Sequence, residues 1–237
     1  MKSLQIIAVA LLTLSPIAAR ANTSDLEAFS LLPLPFKFSE ADMQTILEGG
    51  TATRLEPHSG TTKEGIAVAV IPADAEVVLR TISDCPRFHE FMPAVHECRV
   101  VAQFADHTEV FQSLKLPLPY PFRTKYYRVR SSRPVWTETD TFRKVVTEWR
   151  YVPGSGNIVD TAGSWTIVQL APARSLVCYR ALADLGLPLP GFVVNFATSR
   201  LLPRVLEAVK KQAVKTSQTG ARLPQPGRLG VVSSASR

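Results

Sequence analysis

The chain has 237 residues, 46% of them apolar and 8% aromatic, with a net charge of +7. That length suits one domain with appendages, and the apolar content allows a sizeable core. The charge is unevenly placed. The first 21 residues and the tail from Lys215 hold six of the 27 basic residues and no acid, leaving 21 basic against 20 acidic residues between Asn22 and Val214. So even a balance argues against the basic face of a nucleic-acid binder, and no nucleic-acid partner is expected.

In chain order, Lys2, the apolar run Ile6–Ala19 and Ala19-Arg20-Ala21 read as a signal peptide over residues 1–21. The 14-residue run is too short to span ~30 Å of hydrocarbon as a helix, so an exported, periplasmic or secreted protein cleaved near Ala21 is expected. Residues 22–38, with Leu32-Pro33 and Leu34-Pro35, read as an extended leader. Ser39 then caps a short helix, Glu40–Leu47, before Gly49-Gly50. Thr51–Leu55 is a weak strand and Glu64–Ile71 a strong one. Helices are expected at Ala73–Ser83 and Pro86–Met92. Six strands follow: Val95–Phe104, Thr108–Leu116, Arg123–Ser131, Lys144–Tyr151, Gly163–Leu170 and Leu176–Ala183. Their spacing suits an antiparallel sheet. A long apolar helix starts near Pro190 and contains Pro203, which predicts a kink. Residues 215–237, rich in Gly, Pro, Ser and Gln, read as a disordered tail. The order is β-α-α-β-β-β-β-β-β-α, an α+β arrangement in which a curved antiparallel sheet lays its concave face against a terminal helix.

The last part of this order, Gly163–Lys211, resembles the C-terminal end of START domains in the helix-grip superfamily, on Tyr179, Asp184, Gly186, Pro190, Val194, Asn195 and Pro203. Ile71–Val101 is similar to the opening of coenzyme Q-binding and polyketide-cyclase-like START relatives, on Asp84, Phe88, Phe91 and Pro93. Leu116–Val129 resembles the Pro-rich approach to a central START strand, although Thr124-Lys125 stands where an acidic residue often follows the arginine. The resemblance spans roughly residues 39–214. It implies a helix-grip fold around an apolar cavity and a lipid-binding domain over those residues.

Catalytic signatures are few. The sequence contains no G-x-S-x-G elbow, Gly-rich phosphate loop or H-E-x-x-H motif. His89 and His96 straddle Pro93 and lack neighbouring ligands at metal spacing, so neither a metal nor a cofactor is expected. An odd cysteine count leaves at least one thiol free. Cys85 and Cys98 are near enough in sequence to pair, but buried free thiols are the default expectation for Cys85, Cys98 and Cys178.

Strand parity gives the candidate site. In Lys144–Tyr151, Trp149 and Tyr151 fall on the inward set while Glu148 and Arg150 face solvent. In Arg123–Ser131, Tyr127 and Val129 read as interior. With Phe91, Met92, Trp165, Phe192 and Phe196 they make an apolar ligand site. The expected function is non-catalytic binding, with intermembrane transfer, of a hydrophobic small molecule: a lipid, sterol-like or isoprenoid. Two rivals remain open. One is a cyclase/aromatase-like enzyme on the same fold. The other is a module docking on a partner or on an anionic membrane surface through Lys115–Arg150, where nine basic residues face three acidic ones.

Overall fold

The computed structural model describes residues 23–57, 61–117, 120–186 and 200–219. Period-2 apolar runs form nine strands in one antiparallel sheet: β1 (Thr51–Pro57), β2 (Lys63–Ile71), β3 (Val95–Gln103), β4 (His107–Lys115), β5 (Thr124–Ser132), β6 (Val135–Glu138), β7 (Arg143–Tyr151), β8 (Asp160–Ala171) and β9 (Arg174–Asp184). The spatial order is β1-β2-β9-β8-β7-β5-β4-β3, with β6 paired to β7. The helices are α1 (Thr23–Ala28), α2 (Glu40–Leu47), α3 (Ala75–Ser83), α4 (Phe88–Phe91) and α5 (Leu202–Thr219).

This is the α+β helix-grip arrangement, with two additions to the expected order. The weak first strand is a full partner of β2, from Thr51 opposite Ala69 to Pro57 opposite Lys63. The four-residue β6 was missed because its run, Val-Trp-Thr-Glu, is too short to show alternation. Among the described residues no helix is long and apolar enough to cross a membrane.

The concave face carries the main core. Successive inner rows place Val145, Ile167, Val177 and Ala69 side by side, then Thr147, Trp165, Tyr179 and Ala67. Val78, Leu79 and Ile82 of α3 and Val205, Leu206, Val209 and Ala213 of α5 close over them. These helical positions recur at three- and four-residue spacing, so each helix turns one apolar stripe to the sheet.

The opposite face of β2, β8 and β9 is covered by the N-terminal segment. Residues 22–38 are not uniformly extended: α1 runs into a 3₁₀ turn at Phe29–Leu31, and Phe29 and Leu32 are buried against Ile66, Val68, Val168 and Leu176. The Leu-Pro steps only end this helical start. Its apolar residues are held to the sheet, and Arg174 ties Asp25 to β9 at 2.7 Å. As expected, Ser39 caps α2, its Oγ accepting from the Asp42 N–H at 3.1 Å.

Two further expectations change. Cys85 and Cys98 form a disulfide with a Cα separation of 5.4 Å, while Cys178 is free and buried. The pairing follows from packing: the short α3–α4 connection folds back over β3, a proximity that sequence spacing does not encode. Pro203 is the second residue of α5, after a π-type turn at Arg200–Leu201. The helix expected from Pro190 and its kink involve residues 190–199, which lie outside the described residues. Finally, α5 reaches Thr219 and buries Thr216, five residues into the segment read as tail, because Val209, Ala213 and Thr216 continue one stripe.

Candidate functional site

Beyond this core, the inner face continues onto β5, the end of β7 and the connection from β7 to β8. Inward parity holds as read. Tyr127 and Val129 are buried, Trp149 and Tyr151 are half-buried on the inner side, and Glu148 and Arg150 are exposed. Pairing of Val129 with Tyr151 and Ser131 with Trp149 carries this inner surface across from β5 to β7.

An aromatic band forms its floor. Trp149 stacks on Tyr179 with ring centroids 5.7 Å apart, and Trp165 lies 4.4 Å from the same ring. Glycine makes the band possible. A Cβ on Gly163 would come within 2.1 Å of the Trp149 indole and 2.3 Å of the Arg180 carbonyl oxygen. The indole therefore lies flat over backbone. In the same row Gly65 is the close neighbour of Leu202 at the start of α5, where a Cβ would come within 2.7 Å of the leucine side chain. The side wall comes from α4 and the residues around it. Phe88 is buried edge-to-face with Phe91 at 5.8 Å, and Phe91 and Met92 pack on the cluster around the Cys85–Cys98 disulfide.

Polar atoms are sparse and deep. The Tyr127 hydroxyl donates to Gln112 Oε1 at 3.1 Å, and the Tyr151 hydroxyl donates to the Ile158 carbonyl at 3.4 Å. Burial pushes the Tyr179 phenol up to about 12. It also raises Tyr127 above its usual value, with nearby Tyr179 adding to the effect. Their strands are three neighbours apart in the sheet, so the coupling of the two phenols reflects its curvature. Both stay protonated near neutral pH and act there as hydrogen-bond donors, not bases. Tyr179 is thus desolvated yet keeps partial solvent accessibility.

Sequence reasoning passed over Lys125. It shares the inward parity of Tyr127 and Val129, and only 4% of it is exposed. Strand parity groups it with them, but the sequence reading carried only Tyr127 and Val129 into the site. Tyr179 was noticed as a family position but not as part of the site. Of the expected site residues, Phe91, Met92, Tyr127, Val129, Trp149, Tyr151 and Trp165 border the two clusters that meet at Trp149 and Met92. Phe192 and Phe196 lie outside the described residues.

Away from this face, a cleft of about 430 Å³ lies where α3 meets the ends of β7 and β8, lined among others by Glu76, Arg80, Arg143 and Gln169. Its charged walls and the 2.8 Å Arg143–Glu76 pair make it unlike an oily site. The basic stretch is also partly neutralised: Arg128 and Arg130 share Glu109 at 3.7 and 3.1 Å. The loop from β4 to β5 leaves Tyr120 92% exposed and Phe122 47% exposed, between exposed Lys115 and Arg123. Among the described residues no group of three or more His, Cys, Asp or Glu is placed to hold a metal.

The fold has known counterparts. A STAR-related lipid transfer protein from Xanthomonas axonopodis superposes with a TM-score of 0.58 at 17% identity, over 76% of this chain and 97% of that one. Human STARD10 gives 0.58 at 15% identity over 86% of each chain. The Zhui aromatase/cyclase from Streptomyces sp. R1128 gives 0.53 at 12% identity, over 68% of this chain and 98% of that one. At these identities the likeness is one of fold. No curated protein matches the sequence. The match of residues 71–210, which run from the end of β2 into α5, to the family described as "Polyketide cyclase / dehydrase and lipid transport" places the chain in that family, within the START superfamily.

Proposed function

We propose that the protein binds one hydrophobic molecule, a lipid, against the concave face of its sheet and carries it between membranes without chemical change. The observation that carries this reading is the aromatic band: Trp149 and Trp165 pack on the Tyr179 ring at 5.7 and 4.4 Å, and Trp149, Tyr151 and Tyr179 stay only half-buried on the inward face of the sheet. Roughly 25 cal/mol per Å² of apolar ligand surface, offset by ordering costs, suffices for micromolar lipid binding. The protonated phenols suit hydrogen bonding to a ligand and do not act as bases near neutral pH, which supports the binding reading. The lipid-transfer protein and the aromatase/cyclase that share the fold keep both activities within the family's range.

Two observations support the cellular setting. The Cys85–Cys98 disulfide suits an oxidising compartment, in keeping with export after cleavage near Ala21. Exposed Tyr120 and Phe122 beside Lys115 and Arg123 have the aromatic and cationic character that settles at an anionic membrane surface. The test is mass spectrometry of organic extracts from protein purified out of its native compartment. One apolar species in near-stoichiometric amount is expected. Protein that yields none, and takes up no lipid probe, overturns the reading.

A further inference from the structure

Lys125 is the least expected group on the concave face. Lysine ammonium groups are almost never fully buried without a paired charge. Here the side chain is 4% exposed, and Nζ donates only two long hydrogen bonds, 3.4 Å to the Asn157 carbonyl and 3.4 Å to that of Leu185. All 20 acidic residues of the chain fall among the described residues, and none lies within 4 Å of Nζ. The ammonium thus retains donor capacity and a full charge with no internal counter-ion.

The surroundings fix its position. Lys125 pairs with Leu114 across β4 and shares its face with Tyr127. The segment carrying Ile158 is held beside it: Asn157 Oδ1 accepts from the Tyr126 N–H, Asn157 Nδ2 donates to the Thr124 carbonyl, and the Val159 N–H donates to Asp184 at the end of β9. The start of β5, the β7–β8 connection and the end of β9 meet here around one amine, at the edge of the apolar cluster that contains Tyr127, Ile158 and Leu185.

We propose that Lys125 receives an oxygen anion at the head of the bound lipid, so that the preferred ligand is an apolar chain ending in a carboxylate or phosphate. This rests on the reading of the concave face as a lipid site and specifies its ligand class. The chain lies over the aromatic band and its charged end lies at Lys125. A charge-assisted hydrogen bond formed away from water is stronger than its exposed equivalent, and the ligand supplies the counter-ion the protein lacks. Burial lowers the Lys125 pKa, as expected where an ammonium waits for such a partner.

The experiment compares oleate, methyl oleate and inorganic phosphate as ligands of the full-length mature protein, by displacement of a neutral fluorescent lipid probe, with melting temperature as a second readout. The wild type should bind oleate at least tenfold more tightly than methyl oleate. Lys125→Met should abolish that preference, leave methyl oleate binding within about threefold, and keep or raise the melting temperature of the empty protein, because a buried unpaired charge has been removed. Lys125→Arg should retain part of the preference. Equal affinities in the wild type, or an undiminished preference in Lys125→Met, overturn the proposal while leaving the lipid site standing. A wild type that binds neither oleate nor methyl oleate removes both. Stabilisation by phosphate alone with no oleate preference marks a free-anion site and also overturns it. The wild-type affinity ratio decides the matter even where the variants fold poorly.

Discussion

The two halves of the concave face are built from different materials. Under α3 and α5 the row of Val145, Ile167, Val177 and Ala69 is aliphatic and sealed, and Ile167, Val177, Leu206 and Val209 have essentially no exposure. Further along these strands and on β5 the same face presents Trp149, Tyr151, Tyr179 and Lys125, with hydroxyls, an amine and half-buried rings. On the proposed reading, this change of composition along one continuous surface separates the part that holds the fold from the part that takes the ligand.

That comparison predicts effects that divide between stability and binding. The largest should come from Leu206→Ala, at the centre of the sealed half. Truncating a fully buried leucine costs about 2–5 kcal/mol, so its urea midpoint should fall sharply while lipid affinity in the folded protein changes by less than about threefold. A large affinity change there would erase the division between the halves. Next in size, replacing Cys85 and Cys98 by serine opens a 13-residue connection and should remove about 3 kcal/mol of stability on a loop-entropy account. Because that bond sits behind Phe88, Phe91 and Met92, lipid affinity should fall with it. An unchanged melting temperature after reduction would show that packing alone holds the wall.

Alkali should act through the open half. The folded-state pKa of Tyr179 is raised to about 12 from an ordinary value near 10, so the folded state holds a proton that the unfolded chain has lost between those values. Its contribution is complete below pH ~10 and declines through the window up to ~12, by roughly 2 kcal/mol. Tyr179→Phe should flatten the decline in a pH series of denaturation curves. A decline of unchanged slope would assign it to other groups. The smallest effects belong to the C-terminus. Removing residues 220–237 should leave the melting temperature within a degree or two, whereas a cut before Thr216 takes a buried residue and the last turn of α5 and should cost about 1 kcal/mol. Equal melting temperatures would show that the end of α5 contributes nothing.

The fold was largely legible because its signals are periodic. Alternation in β5 and β7 put Tyr127, Val129, Trp149 and Tyr151 on the inner side, and the apolar runs of β2, β8 and β9 marked the central strands. Less legible were features set by tertiary contact. Phe29 and Leu32 lie in a segment whose prolines suggest a free leader, and only the apolar outer face of β2 and β9 explains why it packs there. The Cys85–Cys98 bond depends on how α4 folds over β3. Lys125 went unassigned because a charged residue is ordinarily placed in solvent, whereas here it is buried among backbone carbonyls. Trp149 was found by parity, but the reason it lies flat is Gly163 on the neighbouring strand, a relation that no local window contains.

The central claim is that the open half of the concave face holds the lipid, and photolabelling tests it most directly. A lipid carrying a diazirine along its chain is bound to the mature protein, activated by light, and its attachment sites are mapped by peptide mass spectrometry. Labels on Tyr127, Trp149, Tyr151 or Tyr179, competed away by unlabelled lipid, are the predicted result. Competable labels confined to the outer face at Phe36 and Phe38, or to the cleft around Arg143 and Gln169, would contradict the account.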